Sequence, residues 1–316
     1  MSVKFSVFAD LHYLPGTFYT NAGQRLDAIR DRAVESGSEF VIHCGDLCHE
    51  PTKCGEILRK YREFPMPTYT CLGNHEFERE SAKDVLDAYG MKEFYYFFDR
   101  GGYRFVVLDT NFMSVNGVTT HFELHNHRPM PEGAERRLLP PEEIAWLEQT
   151  VMESPYPCVL FSHQSLERVY SDGPLARRRE VWELLERLNR DKRRILLAIN
   201  GHYHMDFLRI RDNIAFLDLN SASYDWIEEK HAGVYPEEIY RDYSLVSHTL
   251  LWNDPIHAVI TLGDHGEIEI EGGKSEYFCG LDREKAGIPI TDTDGRLGTA
   301  EVQSASLVLP LYGWDR

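Results

Sequence analysis

The sequence predicts an α/β domain in which two mixed β-sheets pack face to face with helices outside. Two observations predict it. Short apolar strands alternate with amphipathic helices through the front of the chain, and hairpin signals follow. A third observation points to chemistry: five short clusters of Asp, His and Asn each stand directly after a predicted strand.

Residues 3–9 form the first apolar strand, after which Ala22, Leu26, Ile29 and Ala33 share one helical face. Residues 40–44 make the second strand, with a helix near 53–61, and residues 68–72 the third, with a helix over 81–89. Segments 95–98 and 103–108 flank Asp99-Arg100-Gly101-Gly102, a hairpin signal. Pro140 and Pro141 open a helix carrying Ile144, Trp146 and Leu147, with Glu142 and Glu143 in its first turn, where the helix dipole favours acids. A strand over 158–162 precedes a helix over 175–189 that turns Val181, Leu184, Leu185 and Leu188 inward. Strands at 195–199, 214–219 and 257–262 follow, and a turn at 263–266 leads into 267–270. Stretches 111–139, 222–249 and 272–316 lack periodicity and are expected as loops, the last as a wrapping tail with one strand at 305–309.

Of the 316 residues, 42% are hydrophobic and 27% charged, which suits a soluble globular chain. The formal net charge of −17 repels polyanions and argues against binding duplex nucleic acid. It does not exclude a small phosphate ester, because bound divalent cations dominate the field inside a site. No apolar run approaches the roughly 18 residues that span a bilayer, so no membrane partner is expected. The N-terminus enters a strand at once, without a secretory leader pattern. The six cysteines form no C-x-x-C pair, so free thiols in a reducing cytoplasm are expected.

The five clusters are Asp10-Leu11-His12, Gly45-Asp46, Gly73-Asn74-His75-Glu76, His163 and Gly201-His202-Tyr203-His204. Ligands of α/β sheets bind outside the carboxyl ends of the strands, so five strand ends can aim at one point. Two aspartates, four histidines and one asparagine suit hard-to-borderline divalent cations. Asp10 and His12, like His202 and His204, are two apart, which on extended backbone puts both side chains on one face. Each cluster alone is a weak signal. All five, in one order and each at a strand end, are hard to assign to packing.

Taken together these motifs resemble the signature of the calcineurin-like metallophosphoesterases, over roughly residues 3–270. The resemblance implies a four-layer αββα sandwich with a dinuclear site of Mn, Fe or Zn. It makes residues 1–271 the catalytic domain and 272–316 a tail packed on it. It also implies that Asp10, His12 and His204 hold one ion, that Asn74, His163 and His202 hold the other, and that Asp46 bridges them. Among members, the chain looks most like small phosphodiesterases related to the class III cyclic nucleotide phosphodiesterases, which share the D-x-H opening and a Pro-Pro-Glu-Glu then Trp-Leu segment like that at 138–147. It departs from them after Asp46, reading Cys48-His49-Glu50 where many diesterases carry Thr-Asp. His49 is expected at the pocket rim rather than as an eighth ligand.

Two such ions lower the pKa of a shared water, supply hydroxide near neutral pH and neutralise phosphate oxygens. The resemblance gives His75 the part of general acid or charge stabiliser, beside the alternative of orienting Asn74. His49, Tyr203, Tyr224 and Trp226 are candidate substrate contacts. Tyr224, Trp226, Tyr235, Tyr240 and Tyr243 crowd one loop and could stack a nucleobase or cover a sheet edge. His121, His125 and His127 are read as solvated loop. The expected function is hydrolysis of a small phosphodiester or nucleotide-type ester. A phosphomonoesterase, a nuclease and a non-catalytic scaffold are the alternatives.

Overall fold

The computed structural model describes residues 2–17, 19–121, 131–168, 175–227, 235–243, 245–291 and 298–314. The front half runs β1 (Val3–Phe8), α1 (Ala22–Ser36), β2 (Val41–Cys44), α2 (Gly55–Arg62), β3 (Thr68–Cys71), α3 (Ala82–Tyr89), β4 (Tyr96–Arg100) and β5 (Tyr103–Val107). Then come β6 (Phe112–Val115), β7 (Val118–His121), β8 (Glu135–Leu138), α4 (Pro141–Met152), β9 (Cys158–Ser162) and α5 (Arg178–Leu188). The remainder holds β10 (Ile195–Asn200), β11 (Phe207–Arg211), β12 (Ile214–Asp218), β13 (Tyr224–Trp226), α6 (Glu237–Asp242), β14 (Thr249–Leu251), β15 (Ala258–Leu262), β16 (Glu267–Gly272) and β17 (Ala305–Val308).

Two six-stranded sheets result, in the orders β17-β16-β15-β1-β2-β3 and β11-β12-β10-β9-β5-β4. In the first, β1, β2 and β3 run parallel; in the second, β5, β9, β10 and β12 do. Strand alternation builds the layers. Phe5 and Val7 of β1 join Phe105, Val107 and Phe161 in the core between the sheets, while Phe8 faces the other way, onto Leu26, Ile29 and Tyr61. On the second sheet Val106 and Leu160 face Leu147, Val181 and Leu184 of α4 and α5. The order of layers is therefore helices, sheet, sheet, helices, as expected. The β4–β5 turn has Gly101 and Gly102 at φ 58° and 79°, the paired left-handed conformation that such a hairpin needs.

Two of the three stretches expected as loops contain regular structure that was not expected. Residues 112–138 include the three-stranded sheet β7-β6-β8, and 224–251 include the β13–β14 pair and α6. The first had a legible signal. Asn116-Gly117, at φ 51° and 81°, is the strongest short hairpin dipeptide and lies between β6 and β7. In the third stretch β17 pairs antiparallel with β16, so residues 305–308 complete the first sheet. No helix among the described residues is long and apolar enough to cross a membrane.

Candidate metal centre

The carboxyl ends of β1, β2 and β3 in one sheet and of β9 and β10 in the other converge, and backbone bonds stitch the outgoing turns together. Asp10 N donates to Gly45 O at 3.0 Å, His12 N to Asp46 O at 2.9 Å, and Gly201 N to His163 O at 3.2 Å. Asp10, His12, Asp46, His202 and His204 all sit at left-handed φ, from 51° to 75°. Five strained non-glycine residues in one spot cost roughly 1–3 kcal/mol each and persist only where the surroundings impose them. Two glycines make the approach close enough. A Cβ on Gly45 would strike the His163 ring, and one on Gly201 would lie 2.6 Å from both Ala9 Cβ and Asp10 Oδ2.

Three groups of donors form among the described residues, each with its nitrogen and oxygen atoms within 4.8 Å of one another: Asp10, His12 and His204; Asp46, His163 and His202; and His12, His49 and His75, which shares His12 with the first and has no carboxylate. Asp46 Oδ2 lies 2.9 Å from His163 Nε2 and 3.9 Å from His12 Nε2, so one oxygen faces both of the first two groups. Asn74 is buried, and its Oδ1 accepts from Gln164 Nε2 at 3.1 Å. The far nitrogens are tied down. His163 Nδ1 donates to Cys44 O at 2.8 Å and His204 Nδ1 to Tyr224 O at 2.7 Å, which turns each Nε2 into the site.

A metal fits these residues. His12 Nε2 and His204 Nε2 are 2.9 Å apart, and Asp10 Oδ1 beside them is buried without a hydrogen-bond partner. Facing lone pairs around an orphaned carboxylate oxygen repel unless a cation lies among them. The protonation states of His12, His202 and Asp10 agree, and that of His163 does not. Burial holds His12 neutral, its pKa lowered to about 3, and burial lowers His202 as well, both therefore in the ligating form. Burial opposes ionisation of Asp10, but His204 and His12 hold its carboxyl below the usual range. Burial also disfavours charge on His163, yet Asp46 pushes its pKa up to about 9, so a cation seated there must displace a proton.

His75 stands on the open side. Its backbone N donates to Asp46 Oδ1 at 2.8 Å, its Nδ1 bonds Glu78 Oε1, and its Nε2 lies 3.9 Å from Asp46 Oδ2. Trp226, half-buried, sits nearly parallel to the His75 ring at 6.4 Å. Tyr203 flanks the His202 ring at 4.8 Å and is also half-buried.

Three expectations are corrected. His49 is not at the rim: it is buried, with Nε2 2.8 Å from His12 Nδ1 and Nδ1 3.1 Å from Glu78 Oε2. The 45–49 segment runs alongside 10–13, with Tyr13 N on Leu47 O and His49 N on Tyr13 O, and this draws His49 behind His12. Tyr224 is not a stacking surface. Its side chain is fully buried, 5.1 Å and 5.2 Å from the His12 and His204 rings, where it backs the ligands. His121 is not solvated. It ends β7, bonds the buried Asp109 at 2.8 Å and lies between Phe94 and Phe112. His125 and His127 lie outside the described residues. Tyr235 and Tyr240 cover β14, the Tyr235 hydroxyl donating to Thr249 O, and Tyr243 packs on Tyr19.

Sequence reasoning gave no role to Glu76, Glu78 or Gln164. Glu76 accepts from the backbone N of Asp46, Leu47 and Gly73 and from the Tyr89 hydroxyl, fixing the turns after β2 and β3. Its place directly after Asn74-His75, in a buried turn, was the available signal.

The model of the family described as calcineurin-like phosphoesterase matches residues 3–206. A dimetal phosphatase from Danio rerio is similar in structure at TM-score 0.60 and 13% identity, covering 97% of this chain and 99% of that one. GAP50, the anchor in the inner membrane complex of Plasmodium, aligns at TM-score 0.53 and 14% identity, covering 94% and 99%. At such identities these neighbours speak for the fold alone. Among curated sequences none matches at a significant level. The family match spans well over half the chain and includes every strand end that carries a donor, so the chain belongs to the calcineurin-like phosphoesterases and is a metal-dependent hydrolase of phosphate esters.

Proposed function

We propose that the chain hydrolyses a small phosphodiester or nucleotide-type phosphate ester. The observation that carries this reading is Asp46, one buried carboxylate set between two donor groups, with His75 on its open side. In this reading Asp10, His12 and His204 hold one ion, Asn74, His163 and His202 the other, and Asp46 belongs to both. Mn, Fe and Zn all suit the mixed oxygen and imidazole donors. Bound there, two cations supply an activated water and charge neutralisation. The chain supplies the rest: the strained turns hold the ligands, Asp46 fixes the His75 backbone, and the His75 imidazole delivers a proton to the leaving oxygen. The net charge of −17 favours a small ester over duplex nucleic acid. Unpaired cysteines, five of them buried, fit a cytoplasmic setting.

The test is turnover after reconstitution of stripped protein with Mn, Fe or Zn. Bis(p-nitrophenyl) phosphate should be cleaved faster than the monoester by each active form. A reversed preference would make the chain a phosphomonoesterase, and no turnover with any metal would reject an enzyme acting on either. Organic-group recognition is assigned to Trp226, the part-exposed aromatic nearest His75. Trp226→Ala should raise KM about tenfold or more for a nucleotide-sized ester, since a stacked base contributes about 1–3 kcal/mol. The minimal aryl ester should barely respond. Equal losses on both would assign Trp226 to packing.

A further inference from the structure

Behind the donor groups lie two side chains that the proposed function does not use, Glu78 and His49, joined to two that it does, His75 and His12. Glu78 follows the short turn His75–Phe77 and is nearly buried. One of its oxygens, Oε1, bonds His75 Nδ1, and the other, Oε2, lies 3.1 Å from His49 Nδ1. His49 Nε2 lies 2.8 Å from His12 Nδ1, and His12 Nε2 faces His204 Nε2 and Asp10 Oδ1, at 2.9 Å and 3.6 Å.

Hydrogen positions follow from chemistry. With His12 Nε2 kept as a lone pair for a cation, its proton is on Nδ1 and is donated to His49 Nε2. His49 then carries its own proton on Nδ1 and donates it to Glu78. His75 likewise donates Nδ1–H to the second oxygen. Both N–H groups point at the one group on this side that accepts without donating, the ionised carboxylate. The rings leave little room to turn: the His49 and His75 centroids are 4.3 Å apart, His12 and His75 4.9 Å, and His12 and His49 5.0 Å.

We propose that Glu78 is a positioning residue that orients both halves of the reaction site, the leaving-group side through His75 and the cation side through His49 and His12. The His75 arm rests on the proposed function above; the His49 arm needs only that His12 bind metal. His49 stands three residues after Asp46 and Glu78 on the turn after β3, so the imidazole carries the reach of the carboxylate across to a metal ligand.

Glu78→Gln tests it in the full-length protein. The amide is nearly the same shape, but its NH₂ end meets an imidazole N–H that is already a donor, so one arm must break. Two readouts are needed: Mn²⁺ affinity of stripped protein, and turnover across diesters of increasing leaving-group pKa. Loss of a partner one layer behind a ligand costs about 10- to 100-fold in affinity or activity. Glu78→Gln should weaken Mn²⁺ binding and also slow poor leaving groups more than p-nitrophenolate. His49→Ala should weaken Mn²⁺ binding alone, and Glu78→Gln added to His49→Ala should weaken it no further. Thermal unfolding checks that each variant is folded, and Glu78→Asp, too short to span both imidazoles, stands in if Glu78→Gln does not fold. Wild-type Mn²⁺ affinity in Glu78→Gln, additive losses in the double variant, or a third metal per chain that His49→Ala removes would each overturn the proposal. If His75→Ala itself slows all leaving groups equally, the acid reading of His75 fails, and Glu78 is then judged on Mn²⁺ affinity and the double variant.

Discussion

Asp46→Asn should lower turnover on the order of 10³-fold or more and leave fewer than the two metals per chain expected of the native protein. Water without its activating ions has a pKa of 15.7 rather than about 7, which sets that scale. The substitution is chosen for its shape. Asp46 Oδ1 accepts the His75 backbone N–H at 2.8 Å, and an asparagine oxygen can do the same. What it removes is the charge on the oxygen that faces His163 at 2.9 Å and His12 at 3.9 Å. Burial opposes that charge, but His163 and His75 hold the Asp46 carboxyl ionised well below the usual range. Two divalent cations sharing one buried site repel each other, and the anion between them offsets that repulsion. Elemental analysis and turnover on the same reconstituted samples decide it. Two retained metals with near-normal turnover would mean that Asp46 does not bridge.

How far the sequence led can be argued residue by residue. The two-sheet sandwich was legible because alternation in segments such as 3–9 shows which side chains enter the core, and Phe5, Val7 and Phe8 divide between layers as that rule demands. The donor set was legible because each donor follows a strand, and parallel strands deliver their carboxyl ends to one place. The left-handed φ of Asp10, Asp46 and His202 was only partly legible: Asp and His adopt that region more readily than most residues, but tertiary contacts decide where it is used.

Tyr224 and Trp226 show a different limit. Spacing of two puts them on the same face of β13, and both do reach the His12 and His204 rings. Composition could not tell that the first is sealed behind the ligands while the second reaches the opening. His49 was misplaced because its position depends on pairing between two loops far apart in sequence, 10–13 and 45–49. Glu78 gave no signal at all. A single acid in a Glu-Arg-Glu run reads as solvated surface, and only the fold places it between two imidazoles.

His75→Ala should lower turnover by roughly 10²–10⁴, the usual contribution of a positioned general acid, while metal content stays near normal. The imidazole donates Nδ1–H to Glu78 and turns Nε2 toward Asp46, so a proton on Nε2 is carried on the open side of the donor groups, within reach of an ester bound there. Its ionisation suits that task. Burial disfavours the charged ring, but Asp46 and Glu78 outweigh burial and raise the pKa from 6.5 to about 9. A raised pKa means that the acid form is present at lower pH and is lost as pH rises through the shifted value. Cations on Asp46 withdraw part of its push, so the alkaline limb of turnover should fall between 6.5 and about 9. In His75→Ala that limb should vanish for alkoxide-like leaving groups, whose departure needs a proton. Esters of p-nitrophenol, which leave as stable anions, should lose far less in the variant. The decisive measurement is the slope of log turnover against leaving-group pKa for the two proteins. A steeper slope in His75→Ala supports proton donation. Parallel lines displaced by the same factor would mean that His75 does no more than hold Asn74 in place.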